Sequence, residues 1–166
     1  MTDAADRVRA VALQAALGEV GVTEHPMGSH DGPRVREYQA ATGAYRAAWC
    51  GSFVAWAYGQ AGVAFDGASM ELVAAIVDAA REGRAGLSLV APPHARPGDL
   101  ACFDWFATGT PIHVGIMTTA IGRDATFESV EGNTGELPND PDGGRVALRM
   151  RRASGVLAFV RVTPGG

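Results

Sequence analysis

The sequence predicts an α+β fold, with N-terminal helices packed on a C-terminal antiparallel sheet of about five or six strands. Two observations predict it. As far as Glu82, apolar residues recur at helical spacing between capping residues and glycine stops. After Gly86 the chain turns into short runs rich in β-formers, separated by Pro, Gly, Asn and Asp. Helices and strands are therefore segregated rather than alternating, which is the α+β pattern.

A first helix is expected over 4–19, where Val8, Val11, Ala12, Ala15 and Ala16 form the apolar face and Gly18 and Gly21 break the pattern. A second runs from Pro33 to Thr42, with Pro in the first turn, Asp31 as cap and Gly43 as stop. A third starts at Trp49 or Cys50 and ends before Gly62. Its Phe53, Val54, Ala55, Trp56, Ala57 and Tyr58 are apolar nearly all round, as in a buried central helix. A fourth runs from Ser69, read as its cap, to about Glu82. The expected strands are Leu87–Val90, Leu100–Trp105, His113–Thr119, Ala125–Glu131, Arg145–Met150 and Val156–Val162. The turn-rich stretch Asn139 to Gly144 is too short to divide the chain, so one domain over 1–166 is expected.

Composition narrows the chemistry. The 166 residues include 14 basic and 18 acidic side chains, a formal charge of −4, with 47% hydrophobic residues. Such a chain can bury a core without disulfides or a structural metal. Two Cys and four His exclude the common zinc-finger spacings. The mild acidity argues against a nucleic-acid partner. No apolar run approaches the roughly 20 residues of a membrane span. The start, Met1 to Arg9, lacks the basic and then apolar pattern of a signal peptide, so synthesis in the cytoplasm is expected. A monomer is favoured. Every basic residue is Arg, which excludes Schiff-base and Ser–Lys mechanisms.

The two cysteines separate by context. Cys102 lies inside a strand and reads as a small buried hydrophobe. Cys50 lies at a helix start, where free N–H groups and the dipole favour an anion, and the thiolate is the nucleophilic form. A cysteine nucleophile needs a histidine to take its proton and a third group to orient that histidine. His25, His30 and His94 sit among loop residues, whereas His113 opens a clean strand. A hairpin centred on Gly122 sets His113 directly opposite Glu131, within reach of a hydrogen bond, and gives Asn133 the same facing. A one-residue slip would send Glu131 to the other face. On spacing alone, a merely structural His–Glu pair is equally consistent.

Four stretches occur in order: Ala48-Trp-Cys-Gly-Ser-Phe-Val-Ala-Trp56, Arg96-Pro-Gly-Asp-Leu100, His113-Val-Gly-Ile116 and Val130-Glu-Gly-Asn-Thr134. Together they resemble the CHAP domain, the cysteine, histidine-dependent amidohydrolase/peptidase family of papain-like wall hydrolases of bacteria and phages. Gly21-Val-Thr-Glu24 and the Gly32-Pro33 to Thr42-Gly43 helix also suit that family, so the resemblance covers about residues 5–163. It implies a papain-like fold in which Cys50 is the nucleophile, His113 the general base, Glu131 its orienting carboxylate and Asn133 an auxiliary partner. The implied substrate is peptidoglycan, cut at the muramoyl–alanine amide or within the stem peptide or cross-bridge. Tyr45 is a candidate oxyanion donor and Trp49 a candidate substrate contact. Some members bind calcium through aspartates just before the cysteine. The matching stretch here, residues 40–48, has no Asp or Glu, so no metal and no cofactor are expected. Neither a wall-binding domain nor an export signal accompanies the motifs, so action on the wall would follow lysis-linked release or secretion. The alternatives are a catalytically idle module that binds wall fragments or a partner, and an intracellular thiol amidase acting on a small peptide amide.

Asp99, after Pro97-Gly98, reads as a structural turn residue. Arg145, Arg149, Arg151, Arg152 and Arg161 read as a solvated strand face, with attraction to anionic wall polymers as the sharper alternative.

Overall fold

The computed structural model of the chain describes residues 4–164. Among these residues there are four α-helices followed by a six-stranded sheet: α1 (Ala4–Leu17), α2 (Pro33–Ala40), α3 (Cys50–Gly59), α4 (Val73–Arg81), β1 (Leu87–Val90), β2 (Leu100–Phe103), β3 (His113–Met117), β4 (Thr126–Thr134), β5 (Arg145–Arg152) and β6 (Val156–Val162). The spatial order is β1-β6-β2-β3-β4-β5 and every neighbouring pair is antiparallel. The expected α+β architecture is the one observed.

The helix ends and faces differ in detail. α4 starts at Val73 instead of Ser69, because residues 69–72 form a turn in which the Leu72 amide donates to the Ser69 carbonyl. Gly32, not Asp31, is the N-cap of α2. The buried Asp31 carboxylate accepts the Gly32 amide at 2.8 Å and pairs with Arg36 and Arg46. On α1 the buried stripe is Ala5, Arg9, Ala12 and Ala16, while Val11 is exposed. Arg9 is accommodated because its aliphatic stem lies against Gly98 and its guanidinium reaches the Val162 carbonyl and Asp6.

α3 is buried along nearly its whole length, as its all-round apolar sequence requires. Strand residues alternate between two clusters, as the period of two dictates. Leu100, Cys102, Val114, Ile116, Val130 and Val160 join the helices in the larger core. Ala101, Phe103, Met117, Phe127 and Phe159 form a second cluster.

The β3–β4 register differs from a hairpin centred on Gly122. Ile116 opposes Val130 rather than Glu128, and Met117 opposes Ser129, a displacement of two residues. The turn closes further along, between the Gly122 amide and the Thr126 carbonyl, and the Thr118 and Thr119 amides both aim at the Glu128 carbonyl. An even displacement preserves side-chain parity, so His113 and Glu131 still share a face.

β4 touches α3 at Gly132. A Cβ on Gly132 would lie 2.6 Å from Phe53 Cβ and 2.9 Å from Trp49 Cζ3, closer than packed side chains tolerate. Gly132→Ala should therefore destabilise the protein by about 1–3 kcal/mol through overpacking. Urea denaturation checks this; an unchanged midpoint would show that α3 and β4 are not packed so closely.

Candidate active site

The site is assembled where the N-terminus of α3 meets the start of β3. Cys50 is the first residue of α3, after Trp49 as N-cap. An amide at that position has no intrahelical acceptor and is free to bind an anion. Trp49 fixes the approach of the chain. Its indole Nε1 donates to Glu24 Oε1 at 2.8 Å, and its ring stacks on Tyr38 at 5.5 Å between centroids. Cys50 itself is only 4% exposed and opens onto a cleft of about 550 Å³, whose walls include Glu71, Leu72, Val73, Pro111 and Ile112.

His113 and Glu131 are fully buried. His113 Nε2 lies 2.9 Å from Glu131 Oε2. That carboxylate takes three further hydrogen bonds: Ser129 Oγ donates to Oε1 at 2.6 Å, Arg151 Nε to Oε1 at 2.8 Å, and Arg151 Nη2 to Oε2 at 2.6 Å. All of its lone-pair directions are used, so it is an ionised acceptor and His113 Nε2 carries the hydrogen. Cys50 acts electrostatically on the imidazole, and Phe103 and Trp105 pack near its ring. With Nε2 occupied, Nδ1 is the free ring nitrogen, and it is buried with no hydrogen-bond partner. Space for the Glu131 side chain comes from Gly115 on β3, where a Cβ would stand 2.6 Å from Glu131 Cγ.

The electrostatics follow from these contacts. Burial opposes charge on His113, but interactions with Cys50 and Glu131 outweigh it and raise the imidazole to about 9. Burial likewise opposes charge on Glu131, but Arg151 and then His113 hold its carboxyl down to about 2. Cys102, fully buried in β2, has its thiol pushed up by burial and by Cys50.

Not every expected site residue joins this group. Asn133 sits at a β-bulge between Glu131 and Thr134, with φ of 53°. The bulge turns its amide toward the 139–144 loop, where Nδ2 donates to Asp142 at 3.0 Å and Oδ1 accepts the Gly144 amide at 3.2 Å. Tyr45 is 69% exposed, with its ring against the Arg46 guanidinium. Trp49 is a fully buried core residue instead of a cleft surface.

Conversely, two strand arginines expected to be solvated are engaged internally. Arg161 pairs with the buried Asp99 at 2.6 Å, and Arg151 is buried against Glu131. Trp105 and Phe103 line the site as well. Their ring centroids lie 5.2 and 6.0 Å from that of His113, and 4.6 and 5.3 Å from the Arg151 guanidinium carbon. The signal available for Arg151 was the buried carboxylate itself, since a charge without water needs a cationic partner. Among the described residues, no group of three or more His, Cys, Asp or Glu is placed to hold a metal, and no helix is long and apolar enough to cross a membrane.

No family model and no curated protein matches the chain. Among solved structures, the chain is similar to one described as a wild-type endolysin, LysIME-EF1, with a TM-score of 0.58 at 20% sequence identity. The likeness covers 98% of this chain and 65% of that one, so the chain spans about two thirds of the endolysin's length. At this identity the likeness is one of fold.

The shifts of His113 and Glu131 set a stability window. A histidine raised from 6.5 to about 9 stabilises the folded state fully below about pH 6.5, and loses that contribution as pH rises through about 9. A glutamate lowered from 4.5 to about 2 contributes above about pH 4.5 and loses it as pH falls toward 2. Urea denaturation should therefore show wild type losing more stability than His113→Gln between pH 6.5 and 9.5. Equal losses in the two proteins would contradict the assignment.

Proposed function

We propose that the chain is a cysteine hydrolase that cleaves amide bonds of peptidoglycan, either the muramoyl–alanine bond or a bond in the stem peptide or cross-bridge. The observation that carries this reading is the relay from Glu131 through His113 toward Cys50 at a helix N-terminus. A binding module has no need of a buried imidazole that is oriented by a carboxylate and keeps a free ring nitrogen. The fold shared with a protein described as an endolysin supports a wall substrate, as does the CHAP-like order of the Cys50, His113, Glu131 and Asn133 motifs.

In the first step the Cys50 thiolate attacks the amide carbonyl. A C–S bond forms, and the oxyanion is held by the free Cys50 amide. His113 then gives its Nδ1 proton to the leaving nitrogen as the C–N bond breaks, and a thioester remains. Water attacks the thioester, His113 takes a proton from it, and the thiolate leaves as the carboxylic acid is released. Glu131 stays ionised throughout and stabilises the imidazolium. The cleft beside Cys50 joins the small Ala48, Ala74 and Ala75 to the larger apolar side chains of its wall, with Glu71 and Asp78 adding the acidic groups. That lining suits an extended peptide with small side chains. Such an enzyme would reach the wall after release or secretion.

Digestion of purified peptidoglycan under reducing conditions, with the new ends mapped by mass spectrometry, tests the proposal. Wild type should release either a free N-terminal alanine or an end within the stem or bridge. Cys50→Ala should lose at least about a thousandfold in rate, and His113→Ala about a hundredfold or more. No turnover by folded wild type on any wall chemotype would overturn the reading.

A further inference from the structure

Arg151 has no part in the steps above, yet its surroundings are too well built for a strut on a solvated strand. Its guanidinium is buried, and two of its nitrogens grip both oxygens of Glu131 in a fork. Nη1 donates to the Pro138 carbonyl, and Nη2 has a longer contact of 3.4 Å with Thr134 Oγ1. Trp105 and Phe103 pack against both this guanidinium and the His113 ring, so cation and base are held against the same pair of aromatics.

We propose that Arg151 is a positioning residue that fixes Glu131 on His113 Nε2 and, by cancelling the carboxylate charge, sets the pH range over which the Cys50–His113 pair is ionised. This rests on the reading of Cys50 as a reactive thiolate. The charged and titratable groups around the pair come from several elements: Glu71 and Asp78 line the cleft beside Cys50, and Cys102 on β2 is close enough for Cys50 to act on it. α3 contributes Cys50, β3 His113 and β4 Glu131. On β5, Arg149 turns its guanidinium to the carbonyls of Glu136 and Leu137, and Arg152 is exposed. The segment after β2 contributes Asp104, whose carboxylate is held by Thr108 and Gly109. Arg151 is thus the fixed cation that balances Glu131.

The sign follows from charge alone. Removing a positive charge next to the pair makes the thiol harder to ionise and the imidazolium harder to deprotonate, so both limbs move to higher pH. A residue that only supports the fold would lower rates without moving either limb.

The test is the pH dependence of Cys50 alkylation by iodoacetamide in a Cys102→Ser background. It needs no wall substrate, so its failure and the failure of peptidoglycan hydrolysis are distinguishable. Arg151→Gln and Arg151→Met remove the charge, Arg151→Lys keeps it, and circular dichroism checks folding. In either neutral variant the acid limb should rise by about one pH unit or more, and Arg151→Lys should return it toward wild type. An unmoved limb in a folded neutral variant would overturn the proposal. So would failure of both neutral variants to fold while Arg151→Lys keeps a wild-type profile, because Arg151 would then be a structural cation only.

Discussion

A carboxylate buried away from water must find a hydrogen-bond donor for each of its lone pairs or give up its charge. Glu131 meets that demand with His113 from β3, Ser129 from its own strand and the two-pronged Arg151 from β5. Three adjacent strands are thereby tied to one functional group. β3 must carry Gly115 to leave room for the side chain, and β4 must end its regular ladder just beyond Glu131. The same contacts hold both the buried Glu131–His113 pair and the three strands that carry it.

The helical layer solves a separate problem, which is to bring a thiol to the mouth of that site. Burial of α3 against the sheet sets its height, through the contact of Phe53 and Trp49 with Gly132. The Trp49–Glu24 hydrogen bond sets its start. The proposed nucleophile therefore sits on a helix and the proposed base on a strand, and neither depends on a loop for its placement.

Much of this is legible in the sequence. The all-round apolar run after Cys50 identified the central helix, and strand parity put His113 and Glu131 on one face even though the expected register was two residues out. Parity survives an even displacement because side chains repeat every second residue. What was not legible has physical causes. On β5 the alternation Val146, Leu148, Met150 against Arg145, Arg149, Arg151 invites the reading that the apolar set points inward. Instead Leu148 and Met150 are exposed and Arg151 is buried, because one internal carboxylate outweighs the apolar pattern of a strand end. Asn133 shared the expected parity, but the bulge after Glu131 breaks the alternation at that position. Trp49 and Tyr45 both lie near Cys50 in sequence, yet one enters the core and the other stays at the surface.

The central claim is that Cys50 forms a thioester with the acyl part of the substrate. A thioester partitions between water and a stronger nucleophile, so digestion of peptidoglycan with increasing hydroxylamine reports on it directly. The new acyl ends should appear increasingly as hydroxamates, with none from Cys50→Ala. Release of carboxylates alone at every hydroxylamine concentration would contradict it.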